Sequence, residues 1–325
     1  MSERFLIDQL DEAVEAITTR GEKAPVVDPR LADLLRIAAD LRDLPRAEFK
    51  AQLKAELTRR GSMSSSKMKV EPIREGFHTI TPYLTVERAE RLLDFVKQAF
   101  GATETLRTTG SAGGLHAEVM IGDSMLMIGG GKGVKEMPTS LHIYMPEADA
   151  VYQRALAAGG TSLHEPVDQP YGDREAGVKD PTGNYWWIAT HKKGAGYIPE
   201  GLRTVTPFLH PVGAPKLIEF LRQAFAAEEI SRFQSADGVI HHATVRIGDS
   251  MMEMGEAHGE WQPMPPAIYL YVEDVDATYE RAIKAGATSM LSPTDQPYGD
   301  RSAWVNDAWG NTWYIATHKG VSSQQ

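Results

Sequence analysis

The heptapeptide DQPYGDR occurs at 168–174 and again at 295–301. Each copy runs into a related tail, EAGVKDPTGNYWWIATH in the first and SAWVNDAWGNTWYIATH in the second. The match extends far upstream. ITPYLTVERAERLLDFVKQAF pairs with VTPFLHPVGAPKLIEFLRQAF, HAEVMIGDSMLMIG with HATVRIGDSMMEMG, and YMPEADAVYQRALAAGGT with YVEDVDATYERAIKAGAT. The offset is 125 residues at Thr81/Thr206 and 127 at Tyr171/Tyr298, so the spacers hardly change length. Repetition on this scale marks a duplicated domain and restricts the chain to folds in which one unit is built twice.

Within each copy, periodicity gives strand–helix–strand–strand–strand, then the same again. HTITPYLTV alternates as a strand, and ERAERLLDFVKQAFG is an amphipathic helix closed by glycine. LHAEVMIGDSMLMIGG reads as two strands around a Gly-Asp-Ser turn at 122–124. SLHIYMP is another strand, EADAVYQRALAAGG another helix, and EAGVKD and YWWIAT follow the PYGDR loop. The copies therefore span 74–192 and 201–320, with a hinge at 193–200 and a disordered tail at 321–325. Ahead of them, residues 1–60 read as helices. Phe5, Leu6, Leu10, Val14 and Ile17 recur at helical spacing, a second segment opens on Asp28-Pro29 and stops before Pro45, and Phe49, Leu53 and Leu57 fall four apart. GSMSSSKMK belongs to a flexible linker over 61–73.

Bulk properties narrow the function classes. The 325 residues contain 42% apolar side chains, no cysteine and a formal net charge of −10. Without cysteine there is no disulfide, thiolate nucleophile or Cys-type zinc site. An acidic chain with no basic stripe is not built for nucleic acid. No apolar run reaches the roughly 18–20 residues of a membrane span, and the first residues lack the pattern of a signal peptide. The expectation is a cytoplasmic protein with no nucleic-acid or membrane partner.

The ordered motifs TPYL/TPFL, HAEVMIGDSMLM/HATVRIGDSMMEM, PYGDR and DPTGNYWWIATH resemble the vicinal oxygen chelate superfamily (glyoxalase, bleomycin-resistance protein, extradiol dioxygenase), and within it a bacterial, PhnB-like branch. The resemblance covers 74–320. It implies an α+β fold in which four βαβββ modules form two tandem domains, each pair of modules curling its strands into a cup around a ligand. It also implies a single-chain version of the family's usual dimer, so a monomer acting as a pseudo-dimer, or a homodimer. LLRIAADLRDLPRAEFKAQLKAEL is similar to a short helical segment of some anti-sigma-type regulators, which implies a protein partner for residues 1–60.

Alternation along the strands assigns faces. Ala117, Val119 and Ile121 should pack on the helices, leaving His116, Glu118 and Met120 to the cup. In copy two, Ala243, Val245 and Ile247 pack inward, leaving His242, Thr244 and Arg246. Ser140, His142 and Tyr144 share a face, as do Ala267, Tyr269 and Tyr271.

Metal-dependent relatives supply ligands from four strand positions. By the resemblance these are Thr81 or Thr206, Met127 or Glu253, Ser140 or Ala267, and Trp187 or Tyr314. Only Glu253 is a metal-type ligand, and a catalytic divalent ion wants about three. No cofactor is therefore expected. The alternative is a non-standard zinc, iron, manganese or nickel site, made by His116, Glu118 and His142 in the cup of copy one, or by His210, His242 and Glu253 in that of copy two. What remains is aromatic: Tyr83, Tyr144, Tyr185 and Trp187 in copy one, and Phe208, Tyr269, Tyr271 and Tyr314 in copy two. Such walls either hold a flat or mostly apolar molecule or fill the cup as core. Arg174 and Arg301 of YGDR either brace their hairpins or grip an anionic group at the rim.

The favoured reading is a metal-independent protein that binds or sequesters a small molecule in aromatic-lined cups. An alternative is a lyase, isomerase or dioxygenase-like enzyme using a non-standard metal or acid–base residues among His116, His142, His242 and Glu253. A third is a ligand sensor acting through the N-terminal helices. The linings differ: Glu118 becomes Thr244, Met127 becomes Glu253 and His142 becomes Tyr269. At most one cup should therefore keep the ancestral role, or the two should take different ligands.

Overall fold

The computed structural model describes residues 12–14, 31, 71–110, 113–259 and 261–320. Residues 12–14 are helical. The remaining helices expected over 1–60, the linker up to residue 70 and the tail at 321–325 lie outside the described residues. The chain divides into a unit over 1–69 and a unit over 70–325.

The second unit carries four βαβββ modules. Module one is β1 (Ile80–Thr85), α1 (Ala89–Phe100), β2 (Thr103–Thr109), β3 (Leu115–Ile121) and β4 (Ser124–Gly130). Module two is β5 (Ser140–Tyr144), α2 (Ala148–Ala157), β6 (Thr161–Asp168), β7 (Asp173–Lys179) and β8 (Tyr185–His191). Module three is β9 (Val205–Leu209), α3 (Ala214–Phe225), β10 (Glu228–Gln234), β11 (Ile240–Ile247) and β12 (Ser250–Met254). Module four is β13 (Ala267–Tyr271), α4 (Val275–Lys284), β14 (Thr288–Asp295), β15 (Asp300–Asn306) and β16 (Thr312–His318). No helix among the described residues is long and apolar enough to cross a membrane.

The modules do not pair in the order in which they are written. One eight-stranded sheet runs β14-β15-β16-β13-β1-β4-β3-β2, and the other β10-β11-β12-β9-β5-β8-β7-β6. Module one thus shares a sheet with module four, and module two with module three. Each first strand pairs in parallel with the fourth strand of its own module (β1 with β4, β9 with β12). Its other edge is covered by the opposite copy: Thr81 faces Tyr269 across β1–β13, and Thr206 faces His142 across β9–β5. Covering that edge leaves no open backbone in the middle of the sheet.

The helix side is organised differently. In copy one, α1 and α2 bury Leu92, Phe95, Val96, Val151 and Tyr152 against Leu126, Ile143 and Trp186. Phe100 and Trp186 meet at 4.7 Å between ring centroids, and Phe225 and Trp313 repeat that contact at 4.7 Å in copy two. Each copy is therefore held by a helix-side core almost wholly of its own residues, with Val205 joining that of copy one and Ile80 that of copy two, whereas each cup is shared between copies.

The Gly-Asp-Ser turns join the copies. Asp123 accepts the Thr204 amide (2.9 Å) and Ser124 Oγ the Val205 amide (3.0 Å). Reciprocally, Asp249 accepts the Thr79 amide (2.8 Å) and Ser250 Oγ the Ile80 amide (3.1 Å). Gly122 has φ 58°, and a Cβ there would stand 2.2 Å from Thr204 Oγ1, so the turn requires glycine twice over.

Candidate functional site

The exchange of modules redistributes the expected site residues. His116, Glu118, Tyr83, Tyr269, Tyr271 and Tyr314 fall in the first cup, made by modules one and four. His142 does not join His116 and Glu118, because β5 belongs to the other sheet. This corrects the expected grouping of His116, Glu118 and His142; whether the cups close within a copy or by exchange between copies is not written in the sequence.

The first cup is filled by its own chain. Phe77, Met125, Met127, Tyr269, Tyr271 and Ala316 form a buried cluster, with Ile73, Tyr83, Met120 and Tyr314 packed against it. The segment preceding β1 supplies the plug. Its Pro72 carbonyl accepts the His318 amide at 2.8 Å. The Arg74 guanidinium pairs with Glu118 and stands 4.0 Å over the Phe77 ring, which meets Tyr271 edge-on at 5.7 Å. Burial tends to push the Glu118 carboxyl up, but His116 and Arg74 together hold it below its ordinary value. Tyr269 and Tyr271 both donate to Asp300 Oδ2, at 2.7 and 3.0 Å. Burial first raises both phenols, joined next by the Asp300 carboxylate at Tyr271 and by the neighbouring Tyr271 and Tyr298 ahead of Asp300 at Tyr269, and both stay protonated donors. Residues 72 and 73, expected in the linker, therefore belong with this cup.

The second cup, from modules two and three, encloses a cavity of about 1090 Å³. One wall is aromatic. Trp187 meets Trp261 at 5.1 Å, His210 stacks on Trp261 at 6.1 Å and 12°, and Phe208 lies 4.9 Å from His210. The floor is ionic. Glu253 accepts from His142 Nδ1 (3.0 Å) and from His242 Nε2 (3.1 Å). A carboxylate only accepts, so both ring nitrogens carry protons there. His142 Nε2 lies 3.3 Å from Glu175 Oε2, near enough for charge pairing but without the direction of a hydrogen bond. Tyr171 donates to Glu175 Oε2 at 3.2 Å, and His164 Nε2 lies 3.7 Å from Oε1. Tyr144 donates to Asp173 Oδ2 at 2.9 Å, and the His191 ring holds Oδ1.

Burial alone would lower the His142 imidazole, but the Glu253 and Glu175 carboxylates override it and hold the ring protonated. Burial likewise tends to raise Glu253, and the two imidazoles pull it well down instead. His210 has no such partner. Burial first, and His258 second, lower it to about 4, so at neutral pH it is uncharged. The residue is 9% exposed and its Nε2 has no hydrogen-bond partner.

The positions from which metal-dependent relatives supply ligands do not make a donor set here. Trp187 Nε1 donates to Ser140 Oγ at 2.7 Å, so two of them satisfy each other. Both oxygens of a third, Glu253, are taken by imidazoles. The alternative trio His210, His242 and Glu253 does share the second cup, but with His242 bonded directly to Glu253. Among the described residues no group of three His, Cys, Asp or Glu side chains is arranged to hold a metal ion.

The arginines lie outside the cavity lining. Arg174 bonds Asp149 (2.5 and 2.7 Å) and Asp168 (3.3 Å), and Arg301 repeats this with Asp276 and Asp295, so YGDR braces a hairpin to a helix. Arg246 is exposed, pairs with Glu228 across β10–β11 and is not among the residues lining the cavity. His191 and His318, at the ends of β8 and β16, are largely buried and bonded to Asp173 and Asp300.

Sequence reasoning missed Glu175, Asp173, Tyr171 and Trp261. Each differs in how visible it was. Asp173 and Tyr171 sit in the repeated heptapeptide and were legible as recurring residues. Glu175 replaces Ser302 of the other copy, and Trp261 lies in an inter-module loop whose counterpart, GKGVKEMPTS, has no aromatic residue. Differences between the copies were the signal for both.

A family model described as the Glyoxalase/Bleomycin resistance protein/Dioxygenase superfamily matches residues 76–188 and 213–315. Uncharacterized proteins of Mycobacterium tuberculosis and Mycobacterium bovis are 36% identical over 120 residues, covering 33% of this chain and 71% and 79% of theirs. Among solved structures, glyoxalase I from Zea mays aligns with a TM-score of 0.57 at 14% identity, over 73% of this chain and 90% of that one. A putative dioxygenase from Bacillus subtilis aligns at 0.52 and 13% identity, over 75% and 86%. At these identities the structural likeness speaks for the fold alone.

Proposed function

The chain belongs to the glyoxalase/bleomycin resistance protein/dioxygenase superfamily, and from that premise we propose that its second cup binds a flat, largely aromatic small molecule without the help of a metal ion. The observation that carries this is the contrast between the cups. In one, chain residues fill the space that in the other is a cavity of about 1090 Å³, walled by Trp187, Trp261 and Phe208. Aromatic walls with a few converging polar groups suit a planar ligand. The unpartnered Nε2 of His210 in that wall gives such a ligand a hydrogen bond to make, since a buried polar atom left unpaired costs about 1–3 kcal/mol. Both cups close within one chain, which supports a monomer acting as a pseudo-dimer.

Titration calorimetry with a panel of planar bicyclic and tricyclic compounds tests this. At least one is expected to bind in the micromolar range, to weaken roughly tenfold in Trp261→Ala, and to be indifferent to a chelator. Binding untouched by Trp261→Ala, or abolished by chelator and restored by zinc, overturns the reading.

A second reading, an acid–base enzyme, is supported by Glu253 bridging two imidazoles, of which His242 is the more open to the cavity. A carboxylate that orients a histidine at a cavity is a workable general base. Turnover of a bound ligand that disappears in His242→Gln while affinity persists would favour it.

A further inference from the structure

The duplication supplies an internal comparison for the ligand of the second cup. Residues 71–79, which plug the first cup, correspond at an offset of 125 to residues 196–204. Both lead-in segments are pinned the same way: the His318 amide donates to the Pro72 carbonyl, and the His191 amide to that of Tyr197, at 2.8 and 3.0 Å. Their side chains differ where it matters. Arg74 becomes Pro199 and Phe77 becomes Leu202. Pro199 and Leu202 line the cavity. A guanidinium and a phenyl ring that the first cup takes from its own chain are thus not provided in the second.

The charges tell which of these the second cup lacks. In the first cup two buried carboxylates, Glu118 and Asp300, are accompanied by the Arg74 cation. In the second, the three buried carboxylates Asp173, Glu175 and Glu253 meet imidazoles and tyrosines, with His191 at Asp173, His142 at Glu175, and His142 and His242 at Glu253, and among the described residues no arginine or lysine pairs with them. Glu253 is bonded through both oxygens and Asp173 likewise. Glu175 is the least satisfied: its Oε1 has only the His164 ring at 3.7 Å, beyond hydrogen-bond reach. A buried carboxylate without a full set of donors is costly, and a cation beside aromatic faces is the group that relieves it.

Building on the ligand-binding reading above, we propose that the second cup selects a planar aromatic ligand carrying one cationic nitrogen group, an aryl amidine, guanidine or amine. Its ring lies against Trp187, Trp261 and Phe208, and its cation is directed to Glu175. The acidic partner has moved from β3 in the first cup to β7 in the second, because Glu118 is answered by Thr244 and Ser302 by Glu175.

The test uses the whole chain and three probes of one shape: 2-naphthamidine (cation), 2-naphthamide (neutral) and 2-naphthoate (anion), measured by calorimetry. The expected order is amidine, then amide, then naphthoate, with the amidine at least tenfold tighter than the amide. Glu175→Gln should reduce that preference to threefold or less. The double variant Pro199→Arg/Leu202→Phe rebuilds the plug and should abolish binding of all three, with its fold checked by circular dichroism. If the amide equals or exceeds the amidine, yet the plug abolishes binding, the charge inference fails and the site reading stands. If no probe binds, or if the plugged, folded variant binds as before, both fail. Should the plugged variant not fold, Glu175→Gln alone decides: an unchanged amidine preference overturns the proposal.

Discussion

At the scale of single residues, the second cup turns on Glu253. One carboxylate holds His142 and His242, and it is buried with His142 while His242 is more open. Removing one partner of such a group leaves the other charge uncompensated, so Glu253→Gln should destabilise the protein by about 3 kcal/mol in chemical denaturation. The pH dependence follows with definite signs. Glu253 is held below its ordinary 4.5, so its contribution is present above that pH and is lost as pH falls toward about 2. His142 is raised above 6.5, so its contribution is full below that pH and is lost as pH rises toward about 10. The pair should therefore hold stability level around neutrality. The acid-side drop in Tm below pH 4.5 should be smaller in Glu253→Gln than in the parent. An equal drop would mean that the pair does not act as described. His142, Glu253 and His242 were each legible as polar cup residues. That they form one cluster was not, because two come from copy two and one from copy one, and local alternation does not say which strand edges meet.

At the scale of elements, duplication makes each helix and strand a comparison with its twin. Helix α1 ends at Gly101 in the left-handed conformation, φ 70°. The twin helix α3 ends at Ala226 in the same conformation, φ 56°, the one such non-glycine residue among those described. A Cβ in that region costs roughly 1 kcal/mol, so Ala226→Gly should stabilise the protein by about 0.5–1 kcal/mol, read as a rise in Tm. A fall in Tm would show that the alanine is compensated elsewhere. Strand alternation, helix ends and the two-residue turns were all legible, since each is written in local periodicity or in a glycine. The role of the Gly-Asp-Ser turns was not. Their aspartates and serines receive amides from residues 79–80 and 204–205, and nothing near the turn in sequence records that partner.

At the scale of the whole molecule, the two copies are separate on the helix side and exchanged on the cup side. Each copy builds its own hydrophobic layer, yet neither alone contains both halves of a cup. Exchange also frees the cups to diverge. One has been closed by Arg74, Phe77 and a buried aromatic cluster, and the other keeps its cavity and an acidic, histidine-rich floor. The differing linings carry the expectation that at most one cup keeps the ancestral role or that the two take different ligands. Which cup is filled depends on the segment ahead of β1, which the sequence pattern alone assigned in part to a linker. The proposed binding mode places one ligand site in each chain, in the cup shared by modules two and three. The most direct test is the calorimetric stoichiometry of an aromatic ligand on the intact chain. One site per chain is expected, lost in the folded Pro199→Arg/Leu202→Phe variant. Two equivalent sites per chain, or one site that survives that variant, would contradict it.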